Sequence, residues 1–228
     1  MTYDCIVING DSYSAPTTHQ VYADFLSEHY GIPVKNFALH GSNNDRILRS
    51  SIEYLHNIKS EYSKPLVIIG WSFIRRMEIW YHGNNQHLLD TMPDSDQSRF
   101  ITLDWVINSG EATLEHKALL NDEQAIHKQL MDFYTNLYLF GRTLESQNIS
   151  YRFFSAAKNT PYPISNFSYL NSLEQVQWVV NNPDIFKLHD FCISDWAKEN
   201  DSNCSSTGHL SEAGHSKFAC FIMDNLLD

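Results

Sequence analysis

The chain has 228 residues, an apolar fraction of 43% and a formal net charge of −11. A chain of this length is long enough for one well-formed core, and its composition argues against a disordered protein. The acidic balance argues against nucleic acid and against an anionic membrane as partners, because both require a basic surface.

The N-terminal residues begin directly with strand-like sequence and lack a basic segment followed by an apolar run. This pattern predicts that there is no signal peptide, and no apolar run approaches the roughly 18 residues that span a bilayer. The four cysteines are scattered, without a Cys-x-x-Cys pair, which is typical of reduced thiols. We therefore expect a soluble cytoplasmic protein.

Short apolar strands alternate with amphipathic helices in the first part of the chain. The predicted strands are residues 3–9, 34–39 and 65–70, and a glycine ends each of them or follows closely. Apolar residues spaced three to four apart predict helices over 18–29 and 44–60. Buried strands separated by helices predict a parallel sheet that is covered on both faces.

The second part of the chain is predicted to extend this architecture. Residues 81–117 are irregular and predict either an insertion over the site or a surface loop. A long helix, a fourth strand, two helices and a final helix are predicted over 119–147, 149–155, 172–181, 183–199 and 211–227. We expect one domain over residues 1–228, with three α/β/α layers and a flavodoxin-like parallel sheet of about five strands.

Parallel sheets of this kind bind ligands at the carboxyl ends of their strands, so the residues after each strand are candidates for a site. The first strand runs into a turn that contains Ser12, although Gly-Asp-Ser is also an ordinary turn sequence. Near neutral pH a serine hydroxyl needs a base, and histidine is the usual one. Of the 11 histidines, His209 lies on a predicted loop before the last helix, whereas we interpret His215 as structural.

Three sequence blocks together resemble the GDSL/SGNH hydrolase family. They are Gly10-Asp11-Ser12-Tyr13-Ser14, Asn36-Phe37-Ala38-Leu39-His40-Gly41-Ser42 and His209-Leu210-Ser211-Glu212-Ala213-Gly214-His215. The resemblance spans Ile6 to Ala219 and implies the SGNH hydrolase fold. It also implies that Ser12 is the nucleophile, that His209 is the base, and that the N–H groups of Ser12 and Gly41 form the oxyanion hole.

Two positions depart from the family pattern. Where the family has an oxyanion-hole asparagine in a Gly-x-Asn block, this chain has Ser72. Either Ser72 donates to the oxyanion in its place, or Asn43 or Asn44 does, or the site is weak. Three residues before the histidine, where the family has an aspartate, the chain has Ser206.

The second departure leaves the orientation of His209 open. We expect a Ser–His dyad in which Ser206 or a backbone carbonyl holds the imidazole. The alternative is that a nearby carboxylate, from Asp195, Glu199 or Asp201, folds back to it.

The candidate substrate-pocket residues lie within the first block, after the second block or after the third strand, and are Asp11, Tyr13, Asn43, Asn44, Trp71 and Arg75. The aromatics after the third strand line an acyl or sugar pocket, or else pack into a core. The spacing of His40, His82 and His87 is not that of metal ligands.

We therefore expect a serine esterase that acts on a small-molecule or carbohydrate ester, without a cofactor or metal. The alternatives are a non-catalytic or weakly active binding protein that retains the fold, an acyltransferase, and, ranked last, a flavodoxin-like ligand module.

Overall fold

The computed structural model describes residues 3–74, 76, 78–80, 100–102, 110, 113, 123–157, 170–188 and 190–227. Its strands are β1 (Cys5–Gly10), β2 (Val34–Asn36), β3 (Pro65–Trp71), β4 (Glu78–Trp80), β5 (Phe100–Thr102) and β6 (Ser150–Ser155). Its α-helices are α1 (Tyr22–Tyr30), α2 (Asn44–Glu61), α3 (Glu123–Ser146), α4 (Glu174–Asn181), α5 (Ile193–Asn200) and α6 (Glu212–Ile222). None of these helices is long and apolar enough to cross a membrane.

Four strands form a parallel sheet in the order β2-β1-β3-β6, and β4 and β5 form a separate antiparallel pair. The predicted parallel sheet is thus confirmed, although the described part of it has four strands instead of about five. At the outer edge of β6, Ile185 makes an isolated parallel bridge to Phe153. In the centre Gly10 pairs with Gly70, so β1 and β3 end side by side.

Alternate side chains of each strand enter separate cores on the two faces of the sheet. Ile6 and Ile8 of β1 pack with apolar residues of α1, α5 and α6. Cys5 and Val7 of the same strand pack with residues of α2, α3 and α4. Successive strand residues point to opposite faces, so a strand that is apolar at every position requires this double cover. The result is the expected α/β/α arrangement.

Several predicted boundaries change in the structure. Residues 34–39 contain only the short strand β2, and of the helix predicted over 183–199 only α5 forms. The segment before α5 pairs with β6 instead, because Phe153 N–H donates to Asp184 O and Phe186 N–H donates to Phe153 O, at 2.9 and 2.8 Å. The predicted irregular region, 81–117, lies almost entirely outside the described residues.

A buried asparagine ties the end of β1 to α2, where the candidate site begins. The side-chain amide of Asn9 donates to Ile47 O, Ser50 Oγ and Ser51 Oγ at 3.1, 2.9 and 2.8 Å. At the next residue, a Cβ on Gly10 would lie 2.9 Å from both Gly70 O and Ser14 Oγ. Glycine is therefore needed for the end of β1 to lie this close to Gly70 and Ser14.

Candidate active site

The turn after β1 exposes one side chain and buries its neighbours. The carbonyl of Asp11 accepts hydrogen bonds from the N–H groups of Ser14 and Ala15, both at 3.0 Å. Its carboxylate accepts from Tyr13 N–H at 3.1 Å. Within this turn Ser12 alone remains partly exposed. The turn therefore presents the Ser12 hydroxyl at the carboxyl end of the sheet, where parallel α/β proteins bind ligands.

The structure brings Ser12 and His209 together across almost the whole length of the sequence. Ser12 Oγ lies 2.8 Å from His209 Nε2. The histidine belongs to a tight loop in which Ser205 N–H donates to His209 O and Gly208 N–H donates to Ser205 O, both at 2.9 Å. The His209 N–H donates to Ser205 Oγ at 3.0 Å. These bonds hold the imidazole in hydrogen-bonding contact with the serine.

The group at the other ring nitrogen of His209 is one that the sequence analysis missed. Thr207 Oγ1 lies 2.8 Å from Nδ1, and Ser205 Oγ lies 2.8 Å from Thr207 Oγ1. The expectation that Ser206 occupies this position is wrong, because the loop places the side chain of Thr207, and not that of Ser206, against Nδ1. The Thr-Gly-His sequence, with a glycine that lets the chain fold back, is the signal that points to Thr207.

The carboxylates proposed to orient His209 are engaged elsewhere. Asp201 accepts from the N–H and hydroxyl of Ser211 at 2.7 and 2.9 Å, and from Asn203 N–H at 3.0 Å. It thereby fixes the start of α6. Asp195 lies on α5, 3.8 Å from Lys198 Nζ, and Glu199 is exposed near the end of that helix. The alternative that Asp195, Glu199 or Asp201 folds back to orient His209 is therefore not met.

Tyr13, expected in the substrate pocket, packs against the histidine instead. Its ring stacks on the His209 imidazole with the centroids 4.4 Å apart and the planes 2° apart. Its hydroxyl donates to Thr207 O at 2.8 Å. The residue after the candidate nucleophile thus contacts both the candidate base and the loop that carries it.

The surroundings of His209 favour its neutral form. Burial lowers the pKa of the imidazole, the nearby Asp11 carboxylate raises it, and His40 and Arg76 lower it. A neutral imidazole with Nε2 directed at a hydroxyl is the state that a general base requires.

Ser72 and Asp11 form a buried contact, so neither faces a substrate. Ser72 Oγ donates to Asp11 Oδ2 at 2.6 Å, and both residues are fully buried. Arg76 lies 3.1 Å from Ser72 Oγ and 3.5 Å from Asp11 Oδ2. Burial raises the pKa of Asp11, while the Ser72 hydrogen bond and the Arg76 charge oppose this shift. The hydroxyl of Ser72 is committed to Asp11, which corrects the expectation that it contributes to the oxyanion hole.

The other expected pocket residues have structural contacts. Asn43 is buried and caps α2 by accepting from Arg46 N–H at 2.8 Å. Asn44 accepts from Ser72 N–H at 2.8 Å and donates to Ser72 O at 3.2 Å. Trp71 is fully buried, with Phe133, Phe140 and Phe153 packed edge-on to its ring. Trp71 and Asn44 also line the cavity beside Arg76. Arg75 lies outside the described residues.

A cavity of about 370 Å³ opens on the Arg76 side of this network. Its walls come from the ends of β3 and α2 and from α3, and they combine apolar and polar side chains such as Ile74, Phe133, Asn44 and Gln129. Arg76 lines the cavity and also contacts Asp11, the neighbour of Ser12. Ser12, Gly41 and His209 are not among the described residues that line the cavity, so Arg76 is the link between the cavity and the turn of Ser12.

The loop that carries Gly41 also lies beside this turn. Leu39 N–H donates to Gly10 O at 3.3 Å, and Arg76 donates to Ser42 O at 3.4 Å while it contacts Asp11. Gly41, with a φ of 74°, lies between these two attachments. The structure thus places Gly41 next to the residues that surround Ser12.

His215 has a structural role, as expected. It is buried, and its Nδ1 accepts from Tyr22 N–H at 3.2 Å. Burial, with a smaller contribution from His19, lowers its pKa to about 4.

Over the described ranges, no group of three or more His, Cys, Asp or Glu side chains is placed to hold a metal ion. His82 and His87 lie outside these ranges. No protein-family model matches the chain, and no curated protein sequence matches it significantly.

Proposed function

We propose that this protein is a serine hydrolase that cleaves an acyl or O-acetyl ester, with Ser12 as nucleophile and His209 as general base. The observation that carries the proposal is the 2.8 Å contact between Ser12 Oγ and His209 Nε2. A serine that is hydrogen-bonded to a neutral histidine is the arrangement that activates a hydroxyl for acyl transfer. Its position at the carboxyl end of a parallel sheet supports the same function.

The reaction proceeds in two halves. His209 accepts the hydroxyl proton while Ser12 Oγ attacks the ester carbonyl, and the resulting imidazolium gives that proton to the leaving alcohol. In the second half His209 takes a proton from water, the hydroxide attacks the acyl-serine, and the proton returns to Ser12. The alcohol leaves at the end of the first half and the carboxylic acid at the end of the second.

The oxyanion of each tetrahedral intermediate is proposed to bind the backbone N–H groups of Ser12 and Gly41. In the described part of the chain, no acceptor occupies the Ser12 N–H. An N–H donor aimed at developing negative charge accounts for about 10²–10³ in rate at such sites. Two backbone donors then act without the side chain of Ser72, which Asp11 occupies.

The order of strands and the positions of Ser12, Gly41 and His209 support an SGNH-type fold. We propose a small-molecule or carbohydrate ester as substrate, because the Ser12 side chain is partly exposed at the carboxyl end of the sheet, where proteins of this class bind small ligands.

A second candidate function is a binding protein that retains this fold without turnover. The observation that favours it is the neutral hydroxyl of Thr207 at His209 Nδ1, where hydrolases of this mechanism usually have a carboxylate.

A fluorophosphonate probe distinguishes the two functions. We expect the probe to label Ser12, identified by mass mapping of the modified peptide. We also expect the protein to hydrolyse p-nitrophenyl acetate only when both Ser12 and His209 are present. Ser12→Ala and His209→Ala should abolish labelling, whereas Ser202→Ala, an exposed serine of the same region, should not. Folded wild-type protein that takes up no label would support the binding protein.

A further inference from the structure

Three contacts of equal length lead away from the candidate nucleophile. Ser12 Oγ to His209 Nε2, His209 Nδ1 to Thr207 Oγ1, and Thr207 Oγ1 to Ser205 Oγ are each 2.8 Å. In a Ser-His-Asp triad the group at Nδ1 is a carboxylate, which holds the tautomer and stabilises the imidazolium. Here the same position holds an uncharged hydroxyl.

The chemistry of the pair sets the direction of these hydrogen bonds. His209 Nε2 has to accept from Ser12 for the serine to react, so the ring proton of neutral His209 resides on Nδ1. Nδ1–H then donates to Thr207 Oγ1, and Thr207 donates its own proton to Ser205 Oγ. A hydroxyl can accept and donate at the same time, so this chain is self-consistent.

Contacts on two sides prevent Thr207 from moving away. Gly208 has a φ of 82°, and a Cβ there would lie 2.5 Å from Ser194 O, so the backbone packs directly on α5. On the other side Tyr13 Oη donates to Thr207 O at 2.8 Å. These contacts fix the backbone of Thr207, and its exposed hydroxyl is held by the hydrogen bonds to His209 Nδ1 and Ser205 Oγ.

We propose that Thr207 is the positioning residue of His209, a neutral third member that fixes the tautomer and ring orientation but adds no charge. The inference rests on the proposed function of Ser12 and His209. It separates two roles that one aspartate performs in a triad, since Thr207 performs only the orienting one.

The charge that acts on the imidazolium then comes from groups farther away. The titratable or charged groups that interact with the His209 ring are Asp11, Arg76, His40 and His215. Of these, Asp11 is the anion, and it shares its carboxylate with Ser72 and Arg76. Asp201 and Asp195, on the segments that flank the loop, contact Ser211 and Lys198 instead. A carboxylate introduced at position 207 would therefore be a new charge beside the ring.

The kinetic test compares Thr207→Val, Thr207→Ser and Thr207→Asp with Ser206→Ala, the neighbouring position that the sequence favoured. With p-nitrophenyl acetate, we expect Thr207→Val to lower kcat by about 10² or more with little change in KM, because Nδ1–H loses its acceptor. Thr207→Ser should keep most of the wild-type activity. Thr207→Asp should retain activity and move the acid limb of kcat/KM to higher pH, because an adjacent carboxylate raises an imidazole pKa. Ser206→Ala should match wild type.

A second measurement does not depend on turnover. The ¹⁵N chemical shifts of His209 report which ring nitrogen is protonated, and wild type should show the proton on Nδ1 with a population that falls in Thr207→Val. Wild type protonated on Nε2, or an unchanged tautomer and kcat in Thr207→Val, would overturn the positioning role. If the tautomer responds as expected while no variant, wild type included, hydrolyses ester or takes up the probe, then the proposed function fails and the role of Thr207 stands.

Discussion

The ring of Tyr13 lies flat against the imidazole of His209, with centroids 4.4 Å apart and planes only 2° from parallel. Tyr13 directly follows Ser12, so one turn carries both the candidate nucleophile and a surface on which the candidate base rests. Its hydroxyl reaches the carbonyl of Thr207 at 2.8 Å. The turn after β1 therefore takes part in aligning His209 with Ser12.

Replacing Tyr13 separates the two contacts that it makes. Tyr13→Phe keeps the stack and loses the hydroxyl bond, so we expect kcat to fall only a few-fold. Tyr13→Leu loses both, and kcat should fall by about tenfold or more because a stacked pair contributes about 0.5–1.5 kcal/mol. Steady-state kinetics check this, with thermal unfolding as the folding control. Equal kcat values for the two variants would show that the stack has no role in alignment.

Burial lowers the pKa of His209 from its ordinary value of 6.5. The neutral imidazole is the active form, so activity should persist to a lower pH than an exposed histidine allows. We expect the acid limb of kcat/KM to have its midpoint below 6.5. A profile measured from about pH 4 to about pH 9 tests this. A midpoint above the ordinary value would contradict the burial of the ring.

Gly208 is required both for its conformation and for its closeness to α5. Its φ is 82°, and a Cβ would lie 2.5 Å from Ser194 O. Gly208→Ala should therefore displace the His209 loop, lower kcat/KM by about 10² and destabilise the fold by about 1–3 kcal/mol.

Gly31→Ala is the matched control for this variant. Gly31 also has a positive φ, 63°, but a Cβ there would meet nothing within 4 Å. It should cost stability through its backbone conformation alone and leave kcat/KM unchanged. Kinetics and urea unfolding of both variants give the comparison, and equal kcat/KM values would contradict the role of the Ser194 contact.

His215 makes stability depend on pH. Burial lowers its pKa from 6.5 to about 4, so between these values the unfolded chain binds a proton that the folded protein does not. Stability from this residue is present above pH 6.5 and is lost as pH falls toward 4, by up to about 3 kcal/mol.

His215→Asn keeps a short acceptor for Tyr22 N–H and removes the titration. The free energy of unfolding, measured in urea at several pH values, should fall less steeply below pH 6.5 in this variant than in wild type. Parallel curves would assign the acid sensitivity to other groups.

Ser72→Ala tests whether this hydroxyl acts in catalysis or only in the fold. It removes the 2.6 Å bond to Asp11 Oδ2 and leaves a buried carboxylate with fewer partners. We expect a loss of stability of about 1–3 kcal/mol, and a change in kcat well below the roughly 10²–10³ of an oxyanion-hole donor. A loss of kcat by about 10²–10³ with stability retained would show that the Ser72 hydroxyl acts in the oxyanion hole after all.

The local pattern of apolar residues was enough to predict most elements of the sheet and its helices. It failed at residues 183–192, where helical spacing is present but the segment pairs with β6 through Asp184 and Phe186. Periodicity reports which side chains are apolar, and it does not report whether a neighbouring strand edge is available to the backbone. The position of α2 was predicted from the spacing of its apolar residues, and in the structure Asn43 caps its start.

The sequence by itself determined the alternation of strands and helices, the placement of Ser12 after β1 and the presence of His209 before α6, because these depend on residues close together in the chain. The tertiary structure alone decided which group meets His209 Nδ1 and where the Ser72 hydroxyl points. Both depend on contacts between distant segments, Gly208 against Ser194 and Ser72 against Asp11. A loop side chain takes the direction that such packing allows, and sequence spacing carries no record of it.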